Sequence, residues 1–449
     1  MNNRCRPAGS ARPQIAVIGG GWAGLAAAVE ATAAGAAVTL FEAGRSLGGR
    51  ARSLPLATAD GPLTLDNGQH ILLGAYRDTL ALMRRVGADP ERLLLRQPLQ
   101  VLDNSGFALR LPSLPAPLPA TLATAWGLLQ AAPVSLGEKL RTARWMLGVQ
   151  LRGFRVAHEQ SVAAWLDAAG QHGRLRQHLW EPLCLAALNT PAERASAQRF
   201  ANVLRDSLGS RERGATDLLL PRVPFGELLP EPAAHWLQAH GAQIRLGQRV
   251  SRLHPGDDGI AVDGEPFDQV ILATAAQHAA KLWPDLRVPE AWEPIATVYL
   301  RYPAKTRLPY PLLSLCGQSA AGRQIGPFWA VDRSQAHNPA EQGIIAAVLS
   351  GAGGWCQLSD GELQHAVCTE LATVPELPAT AECLQIVREK RATFSCRPGQ
   401  LSQNCASTHP RLWIAGDYSW SDYPATLEGA VRSGLRAARL ALAGPGDIG

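Results

Sequence analysis

The chain has 449 residues, 46% hydrophobic and 18% charged, an ordinary globular composition that excludes a disordered, collagen-like or disulfide-stapled protein. Lys+Arg is 43 against 38 for Asp+Glu, a net charge of +5, and the cations are scattered. No nucleic-acid partner is expected from that pattern, whereas mild attraction to an anionic membrane surface stays open.

Residues 14–18 (QIAVI) form a short apolar run of the kind expected for a buried parallel strand. Gly19-Gly20-Gly21-Trp22-Ala23-Gly24 follows at once, and an Ala-rich helix is predicted from 25 to 34, stopped by Gly35. Residues 38–41 (VTLF) read as a second buried strand ending in Glu42, which completes a βαβ opening. An amphipathic helix is predicted over 75–87, and mostly helix with Pro-rich joints from about 90 to 215. The segment 243–274 alternates like strands, and further strands are predicted at 295–302, 312–316, 325–332, 343–350 and 384–394, with a helix at 359–374. A last buried strand is expected at 411–415, then Gly416-Asp417 and a C-terminal helix from about 427.

No charged residue occurs from Leu111 to Gly137, but prolines at 112, 115, 117, 119 and 133 break the stretch. The longest proline-free piece, 120–132, is too short for a bilayer that needs about 20 residues, so no transmembrane helix is expected. The eight cysteines show no CxxC and no Cys/His ligand spacing, so no metal site is expected, and a reducing cytoplasmic location follows.

Gly19-x-Gly21-x-x-Gly24 sits between a strand and a helix, where the glycines permit a tight turn, close approach of a pyrophosphate and close helix–strand packing. The helix start, including Trp22 and Ala23, offers free N–H groups and a positive dipole end to phosphates. Glu42, 23 positions after Gly19, can accept from ribose hydroxyls. The chemistry indicated is dinucleotide binding. Leu47-Gly48-Gly49-Arg50-Ala51-Arg52 then allows a loop to pass a pyrophosphate while Arg50 reaches it.

Those features after Glu42 resemble the amine oxidase and polyene desaturase flavoproteins, and the cofactor implied is FAD. In similar proteins Asp417 binds the ribityl chain, and the helix carrying Leu427, Gly429 and Ala430 aims its N-terminus at the flavin, just past Gly416. Val250 is similarly placed to meet the adenine through its backbone. The stretches 66–77 (DNGQHILLGAYR), 180–190 (WEPLCLAALNT), 195–206 and 416–429 narrow the resemblance to the hydroxysqualene dehydroxylase family of squalene-associated, FAD-dependent desaturases from hopanoid-producing bacteria.

That resemblance implies reduction of hydroxysqualene, an allylic C30 alcohol, to squalene with loss of water, feeding hopanoid synthesis. It implies a lipophilic isoprenoid substrate, an unidentified electron donor and a cytoplasmic protein that is either free or peripheral on the inner face of the membrane. Hydroxide is a poor leaving group, so an acid must protonate it; His70, His178, Glu181 and Tyr423 are the candidates. Alternatives are a polyene desaturase or amine oxidase on the same scaffold, or a non-catalytic prenyl-binding escort. The expected fold is α/β: a discontinuous Rossmann-type FAD-binding domain from 1–90, 210–290 and 395–449, with an inserted α+β substrate domain from 91–209 and 291–394. In that domain a mixed or antiparallel sheet carries a helical cap.

Overall fold

The computed structural model describes residues 12–58, 61–113, 120–317, 325–336, 341–400 and 404–444. A five-stranded parallel sheet runs in the order Gln243–Leu246, Ala37–Glu42, Gln14–Ile18, Gln269–Leu272, Leu412–Ile414. Its central strands are apolar runs because both faces are covered. Ile15, Val17, Leu25, Val29 and Leu40 share one buried cluster with Val431 and Ala438 of the C-terminal helix Leu427–Ala443. That helix lies against helix Trp22–Ala33 so closely that a Cβ on Gly434 would stand 2.1 Å from the Ala23 carbonyl oxygen.

A second sheet is wholly antiparallel, in the order Leu312–Leu315, Phe328–Asp332, Ile344–Ser350, Trp292–Arg301, Glu382–Phe394. Alternation sends its residues to two faces. Leu313, Ala330, Ala347 and Val298 pack on helix Asp360–Leu371 through Leu363, Val367 and Leu371. The opposite face, with Thr297, Leu312, Trp329, Val331, Val348 and Val387, lines the central cavity.

The region 90–215 is less helical than its sequence predicts. Strand Leu94–Gln97 pairs with Leu218–Pro221, and Gln100–Leu102 pairs with Ala108–Arg110. A short leucine-rich run is compatible with helix or strand, and here a distant partner strand decides. The alternating segment after 243 is likewise interrupted: Gly247 adopts φ +70°, and no strand resumes until Leu253. A hairpin of Ser53–Thr58 with Gly61–Asp66 is not among the expected elements, although Asp60-Gly61 at the junction of the two strands is a turn signal. Prolines 115, 117 and 119 and Cys5 lie outside the described residues. The seven described cysteines are free. No helix among the described residues is long and apolar enough to cross a membrane.

Candidate functional site

A single cavity of about 980 Å³ reaches from the glycine loop to the antiparallel sheet. That is the upper end of the roughly 300–1,000 Å³ usual for ligand sites.

At one end the parallel sheet builds the wall. Gly19 has φ +110°, and a Cβ on Gly24 would fall 1.9 Å from the Gly19 carbonyl oxygen, so the turn closes only without side chains. Gly19, Gly21, Trp22, Ala23, Glu42, Gly49, Arg50 and Val250 all line the cavity. Gly24 stands behind the wall, against Gly19. Glu42 is fixed by the N–H groups of Gly20 (2.7 Å) and Gly44 (2.6 Å). Gly247 and Gln248 donate to the carbonyls of Gly44 and Glu42, which carries the chain on to Val250 beside that carboxylate.

In the middle of the wall Arg50 donates to Asp417 Oδ1 at 2.7 Å and to the Ala392 carbonyl. Burial works against the Arg50 cation, but Asp417, with smaller help from Glu389 and Tyr418, outweighs it and raises the guanidinium pKa. Gly416, Asp417, Leu427 and Ala430 line the cavity where the C-terminal helix begins. Gly429 does not: its N–H is spent on the Thr426 hydroxyl at 3.0 Å, the helix N-cap.

The other half is mainly apolar. Helix Glu181–Leu188 contributes Leu183, Ala186 and Ala187, joined by Val203, Leu208, Leu218 and Trp329. Asn189 ends that helix in the left-handed region, with φ +47°. Its amide donates to Thr393 Oγ1 (2.9 Å) and accepts from the Gly351 N–H (2.6 Å).

Of the four proposed acids, His70 and Tyr423 reach the cavity and His178 and Glu181 do not. Glu181 is tied to Arg176 at 2.7 Å. The π-helical segment Arg176–Trp180 turns His178 toward Asp103 and stacks it on Phe107, with ring centroids 5.4 Å apart. Cys316 joins that pair, so three ligand-type atoms lie within 4.8 Å of one another, a grouping that no sequence spacing announces. His70 Nδ1 lies 2.9 Å from the Gly68 carbonyl oxygen and must donate to it, which leaves Nε2 bare. Burial, and then the charge of Arg50, press the His70 pKa below its ordinary value. Tyr423 donates its hydroxyl to Asp206 Oδ2, and Arg205 grips both oxygens of that carboxylate. Asp206 also lines the cavity; within the stretch 195–206 nothing in the sequence distinguished it from its neighbours.

The DNGQH stretch is anchored rather than free. Asp66 accepts from the Phe225 N–H (2.8 Å) and from Arg333, and Tyr299 donates to its backbone carbonyl at 3.0 Å. Arg333 is almost fully buried between Asp66 and Glu341. Burial works against its charge, but the two carboxylates outweigh that and raise its pKa instead.

The family description "flavin containing amine oxidoreductase" matches residues 22–442. The chain belongs to that family. The flavin-containing amine oxidoreductases supply the cofactor identity, FAD, and the chain is an FAD-dependent oxidoreductase. It is 29% identical to hydroxysqualene dehydroxylase of Rhodopseudomonas palustris, over 96% of this chain and 98% of that one. Identity to the hydroxysqualene dehydroxylase of Zymomonas mobilis is 26%, over 95% and 98%. An oxidoreductase from Methanosarcina mazei has the same fold, with a TM-score of 0.68 at 16% identity, covering 95% of this chain and 99% of that one. The residues present fit FAD: a closed glycine turn, a helix start, a fixed carboxylate at Glu42 and a second one at Asp417 border one cavity.

Proposed function

We propose that this enzyme reduces hydroxysqualene to squalene, feeding triterpenoid synthesis, with FAD held along the glycine loop, Glu42, Arg50, Val250, Asp417 and the start of the C-terminal helix. The observation that carries the reading is the continuity of one cavity from that loop to an apolar wall of Leu183, Ala187, Leu208 and Trp329. Similarity to hydroxysqualene dehydroxylases over nearly the whole chain supports the substrate class. An oily C30 alcohol resides in a bilayer, so a cytoplasmic enzyme peripheral to the inner membrane face suits it.

Reduced FAD supplies a hydride when bound. The balance is an alcohol plus a proton plus a hydride, giving hydrocarbon plus water. The chain's residues manage the proton and the water. Tyr423 and Asp206 form the hydrogen-bonded pair at the wall and hold the proton that goes to the departing hydroxyl. His70, with Nε2 bare, accepts the substrate O–H and orients it. The apolar wall keeps bulk water from quenching the allylic cation left behind.

The deciding experiment is anaerobic incubation of reduced, purified enzyme with detergent-dispersed hydroxysqualene, followed by gas chromatography and mass spectrometry. Squalene is the expected product; its absence sinks the reading. Oxidation of squalene or a carotenoid precursor by the oxidised enzyme instead would favour the desaturase alternative. The electron donor is whichever cellular reductant bleaches the flavin in the same assay.

A further inference from the structure

Seven of the eight exposed large hydrophobic side chains among the described residues fall on two consecutive helices, Ala120–Gln130 and Leu136–Leu151. They are Leu122, Trp126 and Leu129 on the first, and Leu136, Leu140, Leu147 and Leu151 on the second. At 3.6 residues per turn each set forms one stripe. In the second helix the residues buried in the core, Thr142, Trp145 and Val149, lie about half a turn around the axis from the leucines. The helix is therefore apolar on two opposite sides: one side is packed, and the other, where Leu151 is 79% exposed, is open to solvent. Seven such side chains together exceed the scattered singles normal on a protein surface.

The charge around the stripe is one-sided. Arg141, Arg144, Arg152 and Arg155 are exposed on or just beyond the second helix, and Lys139 is half-buried there. The only acidic residue from 120 to 157, Glu138, is buried and spent on the Leu175 N–H at 2.6 Å. Apolar side chains beside uncompensated cations match one partner, the surface of an anionic bilayer. Trp126 has the amphipathic ring favoured at such an interface. The first helix also backs the cavity, for Thr124 donates to the carbonyl of Leu208, a wall residue, at 3.3 Å.

We infer that helices Ala120–Gln130 and Leu136–Leu151 form an interfacial docking surface that seats the enzyme on anionic lipid with Leu122, Trp126, Leu129, Leu140, Leu147 and Leu151 in the acyl boundary. Docking there brings the Leu208 wall next to the bilayer that carries the oily substrate, and in this it rests on the proposed dehydroxylation.

The test is flotation of the full-length, FAD-loaded protein with phosphatidylcholine vesicles containing phosphatidylglycerol, and with phosphatidylcholine alone. The parent is expected to float with the mixed vesicles at low salt and to partition less when the anionic lipid is omitted or salt is raised. The combined variant Leu140→Glu, Leu147→Glu, Leu151→Glu is expected to lose vesicle binding by on the order of tenfold or more while keeping its flavin absorbance. A parent that stays at the bottom, or a variant that floats like the parent, overturns the inference. So does a variant whose only change is a smaller oligomer on a sizing column, which would make this face a contact between copies. A parent that floats but gives no squalene in detergent leaves docking standing and removes the dehydroxylation. A parent active in detergent that never floats does the reverse.

Discussion

Arg50 and Asp417, 367 positions apart in the chain, form a 2.7 Å ion pair on the wall of the cavity. The loop after the second strand and the loop after the last strand are thereby locked to each other where the flavin is proposed to lie. Asp417→Ala removes the carboxylate and leaves the guanidinium without its charged partner. Flavin retention is expected to fall on the order of tenfold or more, since charge-assisted hydrogen bonds are the strong ones. Absorbance at the flavin band per mole of purified protein measures it, and full retention would separate the pair from cofactor binding.

Gly24 and Gly434 are each closed to a methyl group by a backbone oxygen, at 1.9 and 2.1 Å. Their substitution should nonetheless differ in outcome. Gly434→Ala overpacks the helix pair and is expected to destabilise by about 1–3 kcal/mol. Gly24→Ala displaces the glycine turn itself and should abolish flavin uptake as well. Denaturant titration read beside flavin content distinguishes the two.

Tyr423→Phe keeps the ring and removes the hydroxyl that meets Asp206. If the pair supplies the proton, single-turnover reoxidation of reduced enzyme by hydroxysqualene should slow by roughly 10²–10⁴-fold with flavin content unchanged. Asp206→Asn should give a similar loss. Parent-like rates in both variants would exclude the pair.

Asn189 couples the end of a cavity-lining helix to both Thr393 and Gly351. Asn189→Ala leaves the Gly351 N–H without its acceptor and forces a non-glycine, non-Asn residue to hold a positive φ. The expected cost is about 1–3 kcal/mol, read as a lowered denaturation midpoint; Asn189→Gly should recover only the backbone part.

His70 makes stability depend on pH with a definite sign. An unfolded imidazole takes its proton near about 6.5, whereas the buried His70 takes one only at lower pH. Stability is therefore full above about pH 6.5 and is lost as pH falls through the interval down to the folded value. Burial lowers His278 and His409 as well, which adds to the same slope. Burial of Glu428 raises its pKa and contributes the opposite sign, stability lost as pH rises. The difference in Tm between parent and His70→Gln, followed across pH, isolates the histidine: the variant should show a shallower decline on acidification, and parallel curves would remove His70 as the source.

Local chemistry was enough to point to the stretch where the dinucleotide is proposed to bind. A buried strand, a glycine turn, a helix start and Glu42 follow one another within about thirty residues, and each has a short-range physical reason visible in the residue types. The C-terminal strand and helix were equally legible, because Leu412–Ile414 is continuously apolar and Thr426 is a good N-cap before Leu427.

What only the tertiary structure decided is how separated segments face one another. Glu181 and His178 sit in an apolar stretch that reads as site-forming, yet helix Glu181–Leu188 presents Leu183 and Ala187 to the cavity instead. Asp206 enters the proposed proton-donating pair only because Tyr423, 217 positions later, folds against it. The strand at Leu94–Gln97 exists because the distant strand Leu218–Pro221 pairs with it, and the double-sided helix Leu136–Leu151 became evident only once its buried side was known. Periodicity and turn chemistry act over a few residues and are written in the chain; pairing, rotation of a helix about its axis and burial of a charge depend on neighbours hundreds of positions away, and those are set by packing.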